Sequence, residues 1–156
     1  MIKERAKAPD FALRDDKGNT LKLSDVLKEK TVILFFYPKA NTPGWIREAS
    51  EFRDAKAKIE KRGAIAIGIS ADNVDKQAKF RDKHQLNMPL LADTEKQVAT
   101  DYSVYRKKSL YGKVGLGIER TTFIIGKDGI VKRIFPKVKV AGHVDEVLQA
   151  LDSMGE

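Results

Sequence analysis

The alternation of strand-like and helix-like segments predicts an α/β fold with helices around a central sheet. Two apolar runs carry that expectation. Thr31 to Tyr37 is continuous and rich in β-formers, as expected of a central strand covered on both faces, and Ala64 to Ser70 repeats the pattern. Between them, Trp45, Ala49, Phe52 and Ile59 recur at helical steps with charges between, so a helix is predicted from Gly44 to Arg62.

The remaining elements follow in order. Lys17-Gly18-Asn19 reads as a turn joining short extended pieces at Phe11 to Leu13 and Leu21 to Leu23. Gly63 stops the first long helix. Asp72 is a candidate cap for a helix running to about His84, with Asp75 near its positive end. Met88 to Leu91 reads as a short strand, and Asp93-Thr94 open a helix through Tyr102. Lys107 to Gly117 carries three glycines and is expected to be a mobile loop. Thr121 to Ile125 and Ile130 to Phe135 flank Gly126-Lys127-Asp128-Gly129, a hairpin signal. A last amphipathic helix begins near Gly142 with Val144, Val147, Leu148 and Leu151 on one face. With no repeat, linker or low-complexity tract, residues 1–156 read as a single domain.

Charge and composition narrow the function classes. The chain has 30 Lys plus Arg against 22 Asp plus Glu, a formal net charge of +8. The basic residues are interleaved with acidic ones, as in EFRDAKAKIEKR, so they read as a solvated surface and not a nucleic-acid footprint. No apolar run approaches the roughly 20 residues of a membrane helix. The N-terminal MIKERAKAPD has no apolar stretch behind its basic residues, so a cytoplasmic protein without a signal peptide is expected. His84 and His143 show no metal-ligand spacing and read as solvent-facing or capping, and no cofactor is expected. There is no cysteine, which removes disulfides, thiolate metal sites and cysteine nucleophiles.

The stretch FFYPKANTPGWIREASEFRD, residues 35–54, holds the chemistry. A buried strand ends at Pro38, and Thr42 is placed to cap a helix with Pro43 at its first position. Residues 44 and 45 then lie where free N–H groups and the positive dipole end collect, a place that stabilises an anion and lowers a thiol's pKa. Position 45 is Trp.

This stretch resembles the Pro-x-x-x-Thr-x-x-Cys motif of peroxiredoxins, with Pro38, Thr42 and Trp45 in that spacing. FYPKxNTPG, Glu48-Ala49 and Phe52-Arg53-Asp54 are similar to the Q-type subfamily, the bacterioferritin comigratory proteins, as are APDFAL, LLADTEKQVATDYSV and YGKVGLGIERTTFIIGKDGIV. The resemblance implies a thioredoxin-like fold, a mixed sheet flanked by helices with an N-terminal hairpin. It implies a thiol peroxidase that reduces hydrogen peroxide and organic hydroperoxides, reset by a thioredoxin-type reductant, and monomeric or weakly dimeric. It puts the peroxidatic cysteine at Trp45 and the resolving cysteine at Ser50. Arg120 would hold the thiolate and polarise the peroxide, Thr42 would hydrogen-bond the peroxide, Pro38 would exclude water, and Glu48 would orient Arg120.

Positions 45 and 50 sit about 8.7 Å apart on an ideal helix, beyond the usual disulfide range of about 4.4–6.8 Å, so a bond between them needs the helix to unwind. Tryptophan overfills a site sized for a thiol. The expectation is therefore that the first turn opens, that Trp45 packs elsewhere, and that the helix begins later than Thr42 implies. Loss of both cysteines reads more like engineering than drift and predicts an inactive scaffold, held in one conformation. The alternative is a natural cysteine-free paralogue acting as a binding or regulatory module, with an exposed Trp45 as its anchor.

Overall fold

The computed structural model describes residues 2–40, 43–110 and 113–154, with the backbone alone for 107–110 and 113–115. Its centre, among the described residues, is a five-stranded mixed sheet in the order β5 (Leu90–Ala92), β4 (Ala64–Ser70), β3 (Thr31–Phe36), β8 (Thr121–Ile125) and β9 (Val131–Phe135). Strand β3 is parallel to β4, which is parallel to β5. On the other side β3 pairs antiparallel with β8, and β8 with β9 across the predicted Gly126–Gly129 turn.

The side-chain period of two explains why β3 is apolar throughout. Ile33, Phe35 and, just past the strand, Tyr37 face a cluster built by α2 (Pro43–Asp54), α3 (Lys56–Lys61), α4 (Val74–His84) and α6 (His143–Met154). Val32, Leu34 and Phe36 face the opposite cluster, where α1 (Leu23–Leu27) contributes Leu23 and Leu27, and α5 (Gln97–Asp101) contributes Val98 and Ala99. Both faces are covered, so neither can be polar. The amphipathic face predicted for the last helix is buried on the first side, with Val147 fully inaccessible.

The N-terminal hairpin forms as expected from β1 (Ala12–Arg14) and β2 (Thr20–Lys22), with Gly18 at φ 81° in its turn. Other expectations are corrected. The helix drawn from Gly44 to Arg62 breaks at Ala55 (φ −89°, ψ 4°) into α2 and α3. The α4 cap is Asn73, whose side chain accepts from Lys76 N at 2.9 Å, and Asp72 is engaged elsewhere. Of the loop expected over Lys107 to Gly117, residues 107–110 and 113–117 are strand instead, and residues 111 and 112 lie outside the described residues. The strand residues belong to an antiparallel ribbon of β6 (Tyr105–Leu110) and β7 (Lys113–Ile118), pairing Arg106 with Gly117 and Lys108 with Gly115. Two of the glycines that suggested a loop, Gly115 and Gly117, alternate with Val114, Leu116 and Ile118, a strand period the glycine count obscured. His143 is not solvent-facing. It is 1% exposed, its Nε2 lies 2.9 Å from Thr122 Oγ1, and Phe52 and Phe135 meet it edge-on. Among the described residues, no helix is long and apolar enough to cross a membrane.

Candidate active site

The site forms where β3 runs out. Tyr37 N still bonds Ile69 O at 3.1 Å, and then Pro38, which lacks an N–H, ends the ladder in a half-buried position. The backbone after it is held by a carboxylate: Ala40 N donates to Asp72 Oδ2 at 2.7 Å. Asp72 is buried and also accepts from Ser70 Oγ at 2.8 Å. Gln77 Nε2 donates to the same Ser70 Oγ at 3.0 Å and to Leu91 O at 2.8 Å, while its Oε1 accepts from the Tyr37 hydroxyl. This buried network fastens the end of β3 and the loop beyond it to β4 and α4. Burial pushes the Tyr37 hydroxyl far above its ordinary pKa, so it remains a donor. Thr42, expected to cap the helix and bond the peroxide, lies outside the described residues.

Helix α2 begins at Pro43. This corrects the expectation of an open first turn and a displaced Trp45. The helix is intact from its proline, and Trp45 within it is fully buried. The reason is a ready-made aromatic seat. The indole lies flat on Tyr37, with ring centroids 3.8 Å apart and planes 7° from parallel. Phe35 is 4.7 Å away on the same strand face and Phe80 of α4 is 6.0 Å away. Aromatic pairs add about 0.5–1.5 kcal/mol each beyond area burial. One cost remains, because Trp45 Nε1 is buried with no hydrogen-bond partner among the described residues.

Gly44 and Glu48, one turn apart, form a different face of the same helix, directed at Arg120. The Arg120 guanidinium rests against the helix backbone: a Cβ built on Gly44 would lie 2.6 Å from Nη2 and 2.9 Å from Cζ. Position 44 therefore admits only glycine unless the guanidinium moves. Arg120 precedes β8, is half-buried, and accepts from Val138 N through its carbonyl at 3.0 Å. Glu48 is 2% exposed. Burial pushes its carboxyl up to about 7, against the pull of Arg120 and with some help from Glu51. Ser50 is half-buried on α2. Among the described residues, no group of three His, Asp or Glu could hold a metal.

Helix α2 thus carries Trp45, Glu48 and Ser50, its Gly44 and Glu48 lie beside Arg120, and Pro38 ends the strand that precedes it. Tyr37, Ser70, Asp72 and Gln77 were missed. Tyr37 was legible, since alternation along β3 puts it on the α2 side beside Phe35; the buried polar partners carried no such signal.

The sequence matches the model of the AhpC/TSA family over residues 5–134. The chain belongs to this family. Within it, the chain is 45% identical over 150 residues to "Peroxiredoxin Bcp" of Bacillus subtilis, covering 96% of this chain and 95% of that protein. Escherichia coli "Peroxiredoxin Bcp" is 38% identical, with 92% of each chain covered. Among solved structures, the Xanthomonas campestris bacterioferritin comigratory protein, described in terms of its alkyl peroxide reduction activity, superposes with a TM-score of 0.89 at 34% identity, over 94% of this chain and 92% of that one. The architecture is therefore the thioredoxin-like fold of the Q-type peroxiredoxins. This AhpC/TSA chain departs from the family's chemistry in having no cysteine.

Proposed function

We propose that this chain is a thiol-peroxidase scaffold that does not turn over peroxide. One observation carries the reading: the chain contains no cysteine, and a buried tryptophan stands where the family motif would have its peroxidatic cysteine. In the parent reaction a thiolate attacks a peroxide oxygen, an S–O bond forms as the O–O bond breaks, and the leaving alkoxide or hydroxide takes a proton. A second thiol then displaces water from the sulfenic acid to form a disulfide, which a dithiol reductant opens. No group here can replace the first thiolate. No hydrogen bond joins Ser50 Oγ to a base among the described residues, and an indole has no comparable anion. The only sulfur is in three methionines, whose oxidation to sulfoxide is a stoichiometric event without a resolving partner in the chain.

Arg120, Glu48, Pro38 and Thr42 then form an inherited frame. Arg120 would have stabilised thiolate and peroxide, Glu48 would have oriented Arg120, Thr42 would have bonded the peroxide, and Pro38 would have limited water. The peroxide and thioredoxin-type reductant of the relatives have no chemistry to meet at position 45. The alternative of a binding module anchored by Trp45 loses its anchor, because the indole presents no surface.

The test is hydroperoxide consumption by purified protein with thioredoxin, its reductase and NADPH. NADPH oxidation at the protein-free rate is expected, and sustained turnover above it would overturn the reading. The double variant Trp45→Cys/Ser50→Cys is expected to gain turnover.

A further inference from the structure

Past Pro43, which suits the first helical position, the first turn of α2 is poor by its own sequence. It carries Gly44, which costs about 1 kcal/mol against Ala in a helix, the β-branched Ile46, and no acidic residue to meet the dipole. The 45–50 geometry adds that a chain bearing thiols at both positions must unwind this turn to join them. Local composition therefore favours an opening segment, yet the turn is formed and its third residue, Trp45, is wholly buried.

What closes it is tertiary. Trp45 stacks on Tyr37, whose hydroxyl is fixed by Gln77, and Gln77 is itself held by Ser70 and the Leu91 carbonyl. The same network continues through Asp72 to Ala40 N, on the chain segment that leads into the helix. The turn is thus gripped at its side chain and, three residues before Pro43, at its backbone, and both grips end on β4 and α4.

We propose that Trp45 is a latch that couples the first turn of α2 to the β4–α4 side of the core, so that the turn opens only when the core does and not as a local event. The latch works by stacking and not by hydrogen bonding, because the indole N–H has no partner among the described residues. A phenyl ring at 45 should therefore serve nearly as well, whereas a small side chain should not.

Amide hydrogen exchange of the intact protein tests this without reference to peroxide chemistry. The amides of residues 47–50 report the hydrogen bonds of the first turn, and those of Ile33 to Phe36 and Ile67 to Ile69 report the core. In the unaltered chain the 47–50 amides are expected to be protected to within about tenfold of the core amides. In Trp45→Ala they should exchange at least about 100-fold faster than the core, and in Trp45→Phe they should stay at the core level. If Trp45→Ala does not fold, Trp45→Cys under reducing conditions replaces it, since the family frame accepts that residue. The proposal is overturned if the 47–50 amides of the unaltered chain already exchange 100-fold faster than the core, or if the small-side-chain variant leaves them at core protection.

Discussion

Glu48→Gln removes a charge that the fold disfavours from mildly acidic pH upward. The carboxyl is 2% exposed, and burial raises it from an ordinary 4.5 to about 7, even with Arg120 drawing it down. A raised acid is no burden below its unfolded value, where both states hold the proton. Between about 4.5 and 7 the unfolded chain ionises while the folded one does not, so stability falls as pH rises through that window and stays reduced above it. A shift of 2.5 units corresponds to about 3 kcal/mol. Glutamine preserves the shape and has no proton to lose. The variant should match the parent at pH 4 and exceed it by about 3 kcal/mol at pH 8, a rise in Tm of about 6–12 °C for a chain of this length. Parallel thermal melts across pH 4–8 measure the difference, in which all other titrating groups cancel. A difference that does not change with pH, or a glutamine variant less stable at pH 8, would refute the reasoning, the latter by showing that the ionised form has a compensating bond to Arg120.

Two further outcomes follow from buried neighbours. Burial holds the His143 imidazole below its ordinary 6.5, against the opposing pull of Glu146, so its contribution to stability is complete above pH 6.5 and is lost as pH falls below it. His143→Gln should flatten the stability profile between pH 6.5 and 5 in urea titrations. Gly68→Ala would put a Cβ 2.8 Å from Phe35 Cε2 and 3.1 Å from Leu90 Cδ2, within the core behind the aromatic seat. A loss of about 1–3 kcal/mol in denaturant unfolding is expected, and an unchanged midpoint would show that Phe35 has room to move.

Much of this was legible in the sequence wherever one local rule acted alone. The β3 run, the Gly126–Gly129 turn and the stripe of Val144, Val147, Leu148 and Leu151 each give the observed element. The failures come where a second part of the chain decides. Asp72 and Asn73 are both good caps. The network linking Ala40, Ser70 and Gln77 engages Asp72, which leaves the cap to Asn73. The ribbon of β6 and β7 depends on cross-strand pairing that a glycine count does not reveal. His143 reads as a helix-start residue, but Thr122 from a strand 21 residues earlier supplies its partner. Trp45 was judged by the volume of a thiol, while the surface that receives it is the flat face of Tyr37.

That last misreading bears on how a family member can lose its nucleophile and keep its fold. Position 45 shares a helix face with Ala49 and Phe52, all three within the main core cluster. Gly44 and Glu48 point instead toward Arg120. Substitution at 45 therefore acts on the packed face and leaves the charged one in place. Burying an indole of about 150–250 Å² at about 25 cal/mol per Å² contributes about 4–6 kcal/mol gross, and the unpaired N–H takes back about 1–3 kcal/mol. The balance favours the helix. In the function proposed above, chemistry at this position depends on a sulfur held at a helix start; stability depends on filling the space between α2, β3 and α4. The two requirements meet at one residue, and tryptophan satisfies only the second.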